Sequence, residues 1–291
     1  MNNEVSVTIK KHDSPVSTKM ADLADPHDLY QKSVQSPASD MEFLSDYFQE
    51  YTGKTLRHFR EDFCGTAYLS SYFVTQHAKN YAQGVDLDWP TLNWGIKHNI
   101  SPLTPDQQQR ISLVNANVLD VQQPRAQMIA AMNFSYMVFH DRPTLLQYIT
   151  NAKQSLQPGG LFVLDIWGGS ESLVLQEEQR EIKNSQDEQI GDFTFTWDQD
   201  AFDPLTYLYT TRMHFSFSDE SELRNAFCYD WRLWTIPEVR ELMTEAGFRD
   251  IHVLWEGTDP KTREGTQTYH RAEKGDADLA WIAYIVGQVP G

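Results

Sequence analysis

The chain has 291 residues, 40% of them hydrophobic, which is enough for one large domain or for one domain carrying a sizeable insertion. An excess of 41 acidic over 24 basic side chains gives a formal charge of −17 with no basic stripe, which argues against nucleic acid and anionic membranes as partners. Two cysteines, Cys64 and Cys228, are too few for a disulfide framework, and no segment approaches the roughly 18 apolar residues needed to span a bilayer, so a cytoplasmic protein is expected.

Residues 1–20 are polar, without apolar period, and read as a flexible tail. A first helix is signalled by Asp25-Pro26 and ends before Pro37. A second runs over about 40–51, with Met41, Phe43, Leu44, Tyr47 and Phe48 on one stripe and Gly53 as its stop. From Thr55 the pattern alternates strand and helix, which predicts a parallel sheet covered on both faces. Strands are expected over 56–59, 82–86, 111–116, 128–134 and 161–166, with helices over 68–76, 89–98 and 144–156. A helix over 237–246, stopped by Gly247, leads to a strand over 251–255. A polar loop of about twenty residues then precedes a last strand over 280–286.

Between the fifth strand and the 237–246 helix the texture changes. Phe193, Phe195 and Trp197 alternate with polar residues, as do Tyr207, Tyr209, Met213, Phe215 and Phe217, and then Leu223, Phe227, Tyr229, Trp231 and Leu233. Turn signals at Asp203-Pro204 and Ser218-Asp219-Glu220 separate them, predicting a three-stranded antiparallel sheet. Its aromatic face is expected to cover a substrate pocket and to make a homodimer contact.

The strongest local signal is Arg60-Glu61-Asp62-Phe63-Cys64-Gly65-Thr66-Ala67, followed by Gly84-Val85-Asp86-Leu87-Asp88. In a βαβ unit a small-residue turn lets a nucleoside cofactor approach the backbone, and a carboxylate ending the next strand accepts from its ribose hydroxyls. With Leu156-Gln157-Pro158-Gly159-Gly160 and the strand after it, these motifs resemble class I S-adenosylmethionine-dependent methyltransferases from about Tyr30 to the C-terminus. The Arg-Glu-Asp-Phe-Cys-Gly-Thr form, with Asn133-Phe134-Ser135-Tyr136 and 229–235, looks like one bacterial subgroup of them.

The resemblance implies an α/β fold: a Rossmann-like seven-stranded sheet, mostly parallel with the last strand antiparallel, carrying a small antiparallel β insertion. The expected division is a tail (1–20), a helical cap (21–54), a cofactor-binding domain (55–172 and 235–291) and a substrate lid (173–234). It further implies S-adenosylmethionine as cofactor, with Tyr30 at its carboxylate, Glu61 at its ammonium, and Cys64, Gly65 and Thr66 along its methionine and ribose portions. Asp86 and the adjoining Leu87 fall at the ribose, Asn117 and Val118 at the adenine, and Asn133 and Phe134 at the sulfonium. Phe63 stands where the family has its first Gly and Ala67 where it has its last. Phe63 does not adopt positive φ cheaply, so a different turn geometry is expected.

Ser135, Trp167, Tyr229, Trp231 and Arg232 are the candidates for holding a small-molecule acceptor, through an N or O nucleophile. His140 and Tyr136 are the candidates for a catalytic role, although an amine acceptor needs no strong base. Cys64 as a nucleophile lacks a basic partner in its motif. A non-catalytic cofactor-binding module and a nicotinamide oxidoreductase stay open, the latter disfavoured by the missing G-x-G-x-x-G. The nine histidines show no His-x-x-x-His or Cys-x-x-Cys spacing, so no metal is expected.

Overall fold

The structure is a computed structural model and describes residues 18–259, 261 and 265–291. The expected tail lies outside the described residues as far as residue 17, and Met20 already opens the first helix. The cap comprises α1 (Met20–Leu23), α2 (Pro26–Val34) and α3 (Pro37–Thr52). Asp25 starts α2 because its carboxylate accepts from the His27 and Asp28 amides, and Gly53, at φ 68°, ends α3.

Five strands then run parallel: β1 (His58–Asp62), β2 (Tyr81–Asp86), β3 (Ile111–Asn115), β4 (Ala126–Ala131) and β5 (Leu156–Gly168). Between them lie α4 (Tyr68–Gln76), α5 (Trp89–Gly95), the short α6 (Pro105–Gln108) and α7 (Arg142–Gln154). The insertion forms a separate sheet of four strands, β6 (Gln176–Ile182), β7 (Phe193–Phe202), β8 (Leu208–Phe217) and β9 (Glu222–Arg232). After α8 (Ile236–Ala246), which a Thr235–Glu238 capping box begins, come β10 (Arg249–Thr258), β11 (Gly265–Ala272) and β12 (Trp281–Gln288). The central sheet has the order β11-β10-β12-β5-β4-β1-β2-β3, with β12 antiparallel to both β5 and β10.

Among the described residues that sheet has eight strands, not seven. The polar stretch expected as a loop contains β11, which pairs antiparallel with β10 at the sheet edge. Likewise the insertion has four strands rather than three. Its extra strand, β6, is an edge of mostly charged and amide residues, a composition that discourages pairing with another chain.

Strand alternation assigns the two faces of the central sheet. Ile129 and Ala131 of β4 belong to a core with Tyr148 and Ile149 of α7 and Leu242 and Met243 of α8. Met128 and Ala130 belong to the opposite core, with Leu44 and Phe48 of α3 and Leu69 and Phe73 of α4. Each such fully buried side chain contributes roughly 1.5–3 kcal/mol. The rigid three-layer block that results fixes where the loops at the strand C-termini point.

The insertion's aromatic face is filled from within the chain. Phe193, Phe195 and Phe215 are buried with Leu29 of α2, and Met20 and Tyr30 pack against that cluster. Strand β8 is internal, between β7 and β9, and not an exposed edge. Phe193, Phe195, Tyr209 and Phe215 thus have partners within the chain, while Tyr207 stays exposed beside Phe202.

Candidate active site

Strand β1 lies between β2 and β4, where the sheet's connections diverge and ligands of open α/β folds bind. The Gly65 amide donates to Asp86 Oδ2 at 2.7 Å, and the Asp88 amide donates to Asp86 Oδ1 at 2.8 Å. Burial pushes the Asp86 carboxyl up, with the two amides working against it. The turn itself is left-handed three times over, at Phe63 (φ 56°), Gly65 (φ 51°) and Ala67 (φ 55°). Contrary to expectation Phe63 does take positive φ, at a cost of roughly 1–2 kcal/mol, and its ring packs edge-on against Tyr148. Cys64 is buried beneath the turn, where burial, then the carboxylates of Glu61, Asp86 and Asp62, push its thiol well up. A neutral buried thiol is unsuited to nucleophilic work.

Glu61 ends β1 with its carboxylate against the start of α4, accepting from the Ser70 amide at 2.9 Å and the Ser70 hydroxyl at 2.6 Å. Burial raises it to about 7, with Asp86 and Asp40 adding to the rise. Its neighbour Asp62 points to the other face, into a buried ion pair with Arg60 at 2.6 Å and a 3.0 Å bond from the Tyr148 hydroxyl. Alternation along β1 thus separates one carboxylate for structure from one facing the cleft.

The tip of β4 was expected to continue as strand to Phe134; instead the strand stops at Ala131. Asn133 and Phe134 both take left-handed φ, 57° and 58°, and their amides donate to the two oxygens of Asp165 at 2.6 and 2.9 Å. Buried Asp165 is raised to about 7, by burial first and partly by Asp40.

These elements open into one cleft of about 1400 Å³ between the central sheet, the cap and the insertion. Tyr30, Glu61, Cys64, Gly65, Thr66, Asp86, Asn133 and Phe134 line it, as do Ser135, Trp167, Tyr229 and Trp231. The cap holds the motif directly: Gln31 donates to the Thr66 hydroxyl at 2.7 Å, and the Trp94 indole donates to Asp25 at 2.7 Å. Burial pushes the Tyr30 hydroxyl up to about 12, and Tyr229 lines the same cleft.

Other expected site residues lie elsewhere. Leu87 is exposed and Val118 buried, and neither lines the cleft; Asn117 turns its side-chain oxygen to the Leu119 amide at 3.0 Å. Arg232 lies outside it, stacked 3.8 Å over Trp234 and paired with Glu238 at 3.1 Å. His140 is exposed at the surface, its Nε2 2.7 Å from the Asp230 carbonyl, while Tyr136 is fully buried in the core. Neither reaches the cleft.

Several lining residues were missed: Asp40, Asp165, Tyr269 and Tyr284. Trp197 and Phe227, on the aromatic face of the insertion, do line the cleft. Asp165 had a signal, since it is a carboxylate set inside the apolar run of β5, between Leu164 and Ile166. Asp40 had none, because an Asp in the first turn of a helix is ordinary dipole complementation.

No family model and no curated protein sequence matches the chain. Solved structures do. Streptomyces venezuelae DesVI is 17% identical with a TM-score of 0.66, over 93% of this chain and 99% of that one. An S-adenosylmethionine-dependent methyltransferase from Clostridium acetobutylicum is 16% identical with a TM-score of 0.63, over 91% and 98%. The third is CalS10 of Micromonospora echinaspora, an amino pentose methyltransferase solved with S-adenosylmethionine bound. It is 12% identical with a TM-score of 0.64, over 90% and 95%. The chain has the Rossmann-like fold of class I methyltransferases.

Proposed function

We propose that the protein transfers a methyl group from S-adenosylmethionine to a small-molecule acceptor bound under the insertion. The observation that carries this reading is the placement of Glu61, Asp86 and the Asn133-Phe134 tip on the ends of three adjacent strands, all opening into one cleft. When bound, the cofactor supplies an electrophilic methyl on a sulfonium. The residues suit it: Glu61 is a buried carboxylate with no cationic partner among its hydrogen bonds, matching an ammonium. Asp86, anchored by two amides, keeps lone pairs for ribose hydroxyls. The low walls of Gly65 and Thr66 let a ligand approach the backbone.

Phe134, Trp167 and Trp231 gather apolar ring surface at the tip of β4, which suits a part in transfer that is alignment and desolvation. No basic side chain is needed for an acceptor that arrives with a free lone pair. The charge of −17 supports an acceptor other than nucleic acid.

Calorimetry against S-adenosylmethionine, S-adenosylhomocysteine and NAD tests the cofactor. Binding of the first two and not the third is expected; the reverse order would replace the reading with a dehydrogenase. Enzyme and mere binding module are then separated by incubating the protein with metabolite extract and isotopically labelled methyl donor. A labelled product is the expected result.

A further inference from the structure

The cleft is electrostatically lopsided. Among the described residues that line it, eight carry carboxylates and two, Lys32 and Arg180, carry fixed cations. Both cations are engaged at the rim: Lys32 pairs with Asp28 at 2.7 Å, and Arg180 lies 5.1 Å over the Phe195 ring. Such a pocket repels phosphates and carboxylates and concentrates cations.

Glu61 and Asp86 are accounted for by the cofactor, and Asp165 spends both oxygens on the Asn133 and Phe134 amides. Asp40 is different. It lines the cleft from the first turn of α3, its own amide bonded to the Ser36 carbonyl at 2.9 Å, and among the described residues its carboxylate has no cationic partner. Asp40 is half-buried, and Glu61, Asp165, Tyr269 and Tyr284 line the same cleft.

Another part of the lining is aromatic. Tyr229 stacks on Trp231 at 4.8 Å, and Trp197 lies 6.0 Å from Trp231; all three line the cleft. The Trp231 indole N–H has no hydrogen-bond partner although the residue is only 3% exposed. An unpaired buried donor costs roughly 1–3 kcal/mol, a cost that an oxygen acceptor on a ligand removes. Carboxylate, aromatic faces and a waiting donor together describe a ligand with a positive charge and an oxygen.

We propose that the methyl acceptor is an amine bearing a hydroxyl or ether oxygen, that it enters as its ammonium ion, and that the Asp40 carboxylate receives it and takes one proton. The freed nitrogen lone pair attacks the methyl as neutral S-adenosylhomocysteine leaves, the product carries the positive charge as a methylammonium, and Asp40 returns its proton to solvent. The Tyr229–Trp231 wall covers its body. This rests on the methyltransferase reading and narrows it to a substrate class.

The test uses the full chain saturated with S-adenosylhomocysteine and three near-isosteric probes: 4-aminocyclohexanol, cyclohexane-1,4-diol and 4-hydroxycyclohexanecarboxylate. Calorimetry at about pH 8 keeps Asp40 ionised and the amine protonated. The aminoalcohol should bind at least about tenfold tighter than the diol, with the carboxylate weakest. Asp40→Asn should erase that preference while leaving S-adenosylhomocysteine affinity within about twofold, and Asp40→Glu should retain most of it. Equal binding of the three probes, no binding of the aminoalcohol, or an unchanged preference in Asp40→Asn overturns the proposal. So does a parallel loss of S-adenosylhomocysteine affinity, which would assign Asp40 to the cofactor instead. Failure of the wild-type chain to bind S-adenosylhomocysteine at all would sink the methyltransferase reading first.

Discussion

The Gly65 amide and the Asp86 carboxylate, joined at 2.7 Å, make the first turn and the end of β2 a single unit. The carboxylate that is to hold the ribose also holds the backbone that is to lie beside it. Asp86→Ala should therefore remove both a ligand contact and the turn's anchor. A charge-assisted hydrogen bond is worth about 1.5–3 kcal/mol, so S-adenosylhomocysteine affinity should fall roughly ten- to hundredfold. An unchanged dissociation constant in calorimetry would remove Asp86 from the site.

Asp165 holds two consecutive left-handed, non-glycine residues, each of which costs of order 1–3 kcal/mol in isolation. Asp165→Asn keeps one acceptor oxygen and offers an amide that cannot accept from the second backbone N–H. The tip of β4 should loosen. Hydrogen exchange at Asn133 and Phe134 should accelerate at least about tenfold while exchange in β4 itself stays slow. Uniform acceleration through the sheet would show that Asp165 supports the whole fold instead.

The parts of this arrangement that were legible in the sequence follow from periodicity and punctuation. Phe193, Phe195 and Trp197 alternate with polar residues, so β7 was readable; Gln176 to Ile182 and Gly265 to Ala272 are nearly all polar, so β6 and β11 were not. Edge strands need no apolar face, and their pairing depends on a partner that periodicity does not reveal. Similarly, Glu61 and Asp86 announced themselves by spacing around Gly65, whereas Asp40 reaches the cleft only because α3 folds over the sheet. Arg232 and His140 misled for the same reason: local chemistry suggested ligand binding, but tertiary packing gave them protein partners.

Glu61 sets a pH dependence whose sign follows from its environment. Burial raises it from 4.5 to about 7, so the folded, empty protein retains a proton there that the unfolded chain releases. Its contribution to stability therefore falls as pH rises from about 4.5 to about 7. A ligand ammonium at Glu61 favours the carboxylate and expels that proton. Near pH 6, S-adenosylhomocysteine binding should release roughly half to one proton, measured as a dependence of the binding heat on buffer ionisation enthalpy. Near pH 8.5 the release should vanish, and Glu61→Gln should lack it throughout. Proton uptake at pH 6 would contradict the assignment.

Gly95 ends α5 against the first turn: a Cβ built there would meet the Thr66 carbonyl oxygen at 2.2 Å and its carbon at 2.7 Å. Those are backbone atoms, so no side chain can swing aside, and either α5 or the turn must shift. Gly→Ala in a helix ordinarily stabilises by roughly 0.5–1 kcal/mol. Here overpacking of about 1–3 kcal/mol should reverse the sign. Because Thr66 also accepts from Gln31 of the cap, the displaced turn should weaken the cap's hold on it. Gly95→Ala is therefore expected to lower the urea midpoint and to cost at least about tenfold in S-adenosylhomocysteine affinity. A more stable variant with intact affinity would mean that α5 does not press on the turn as described.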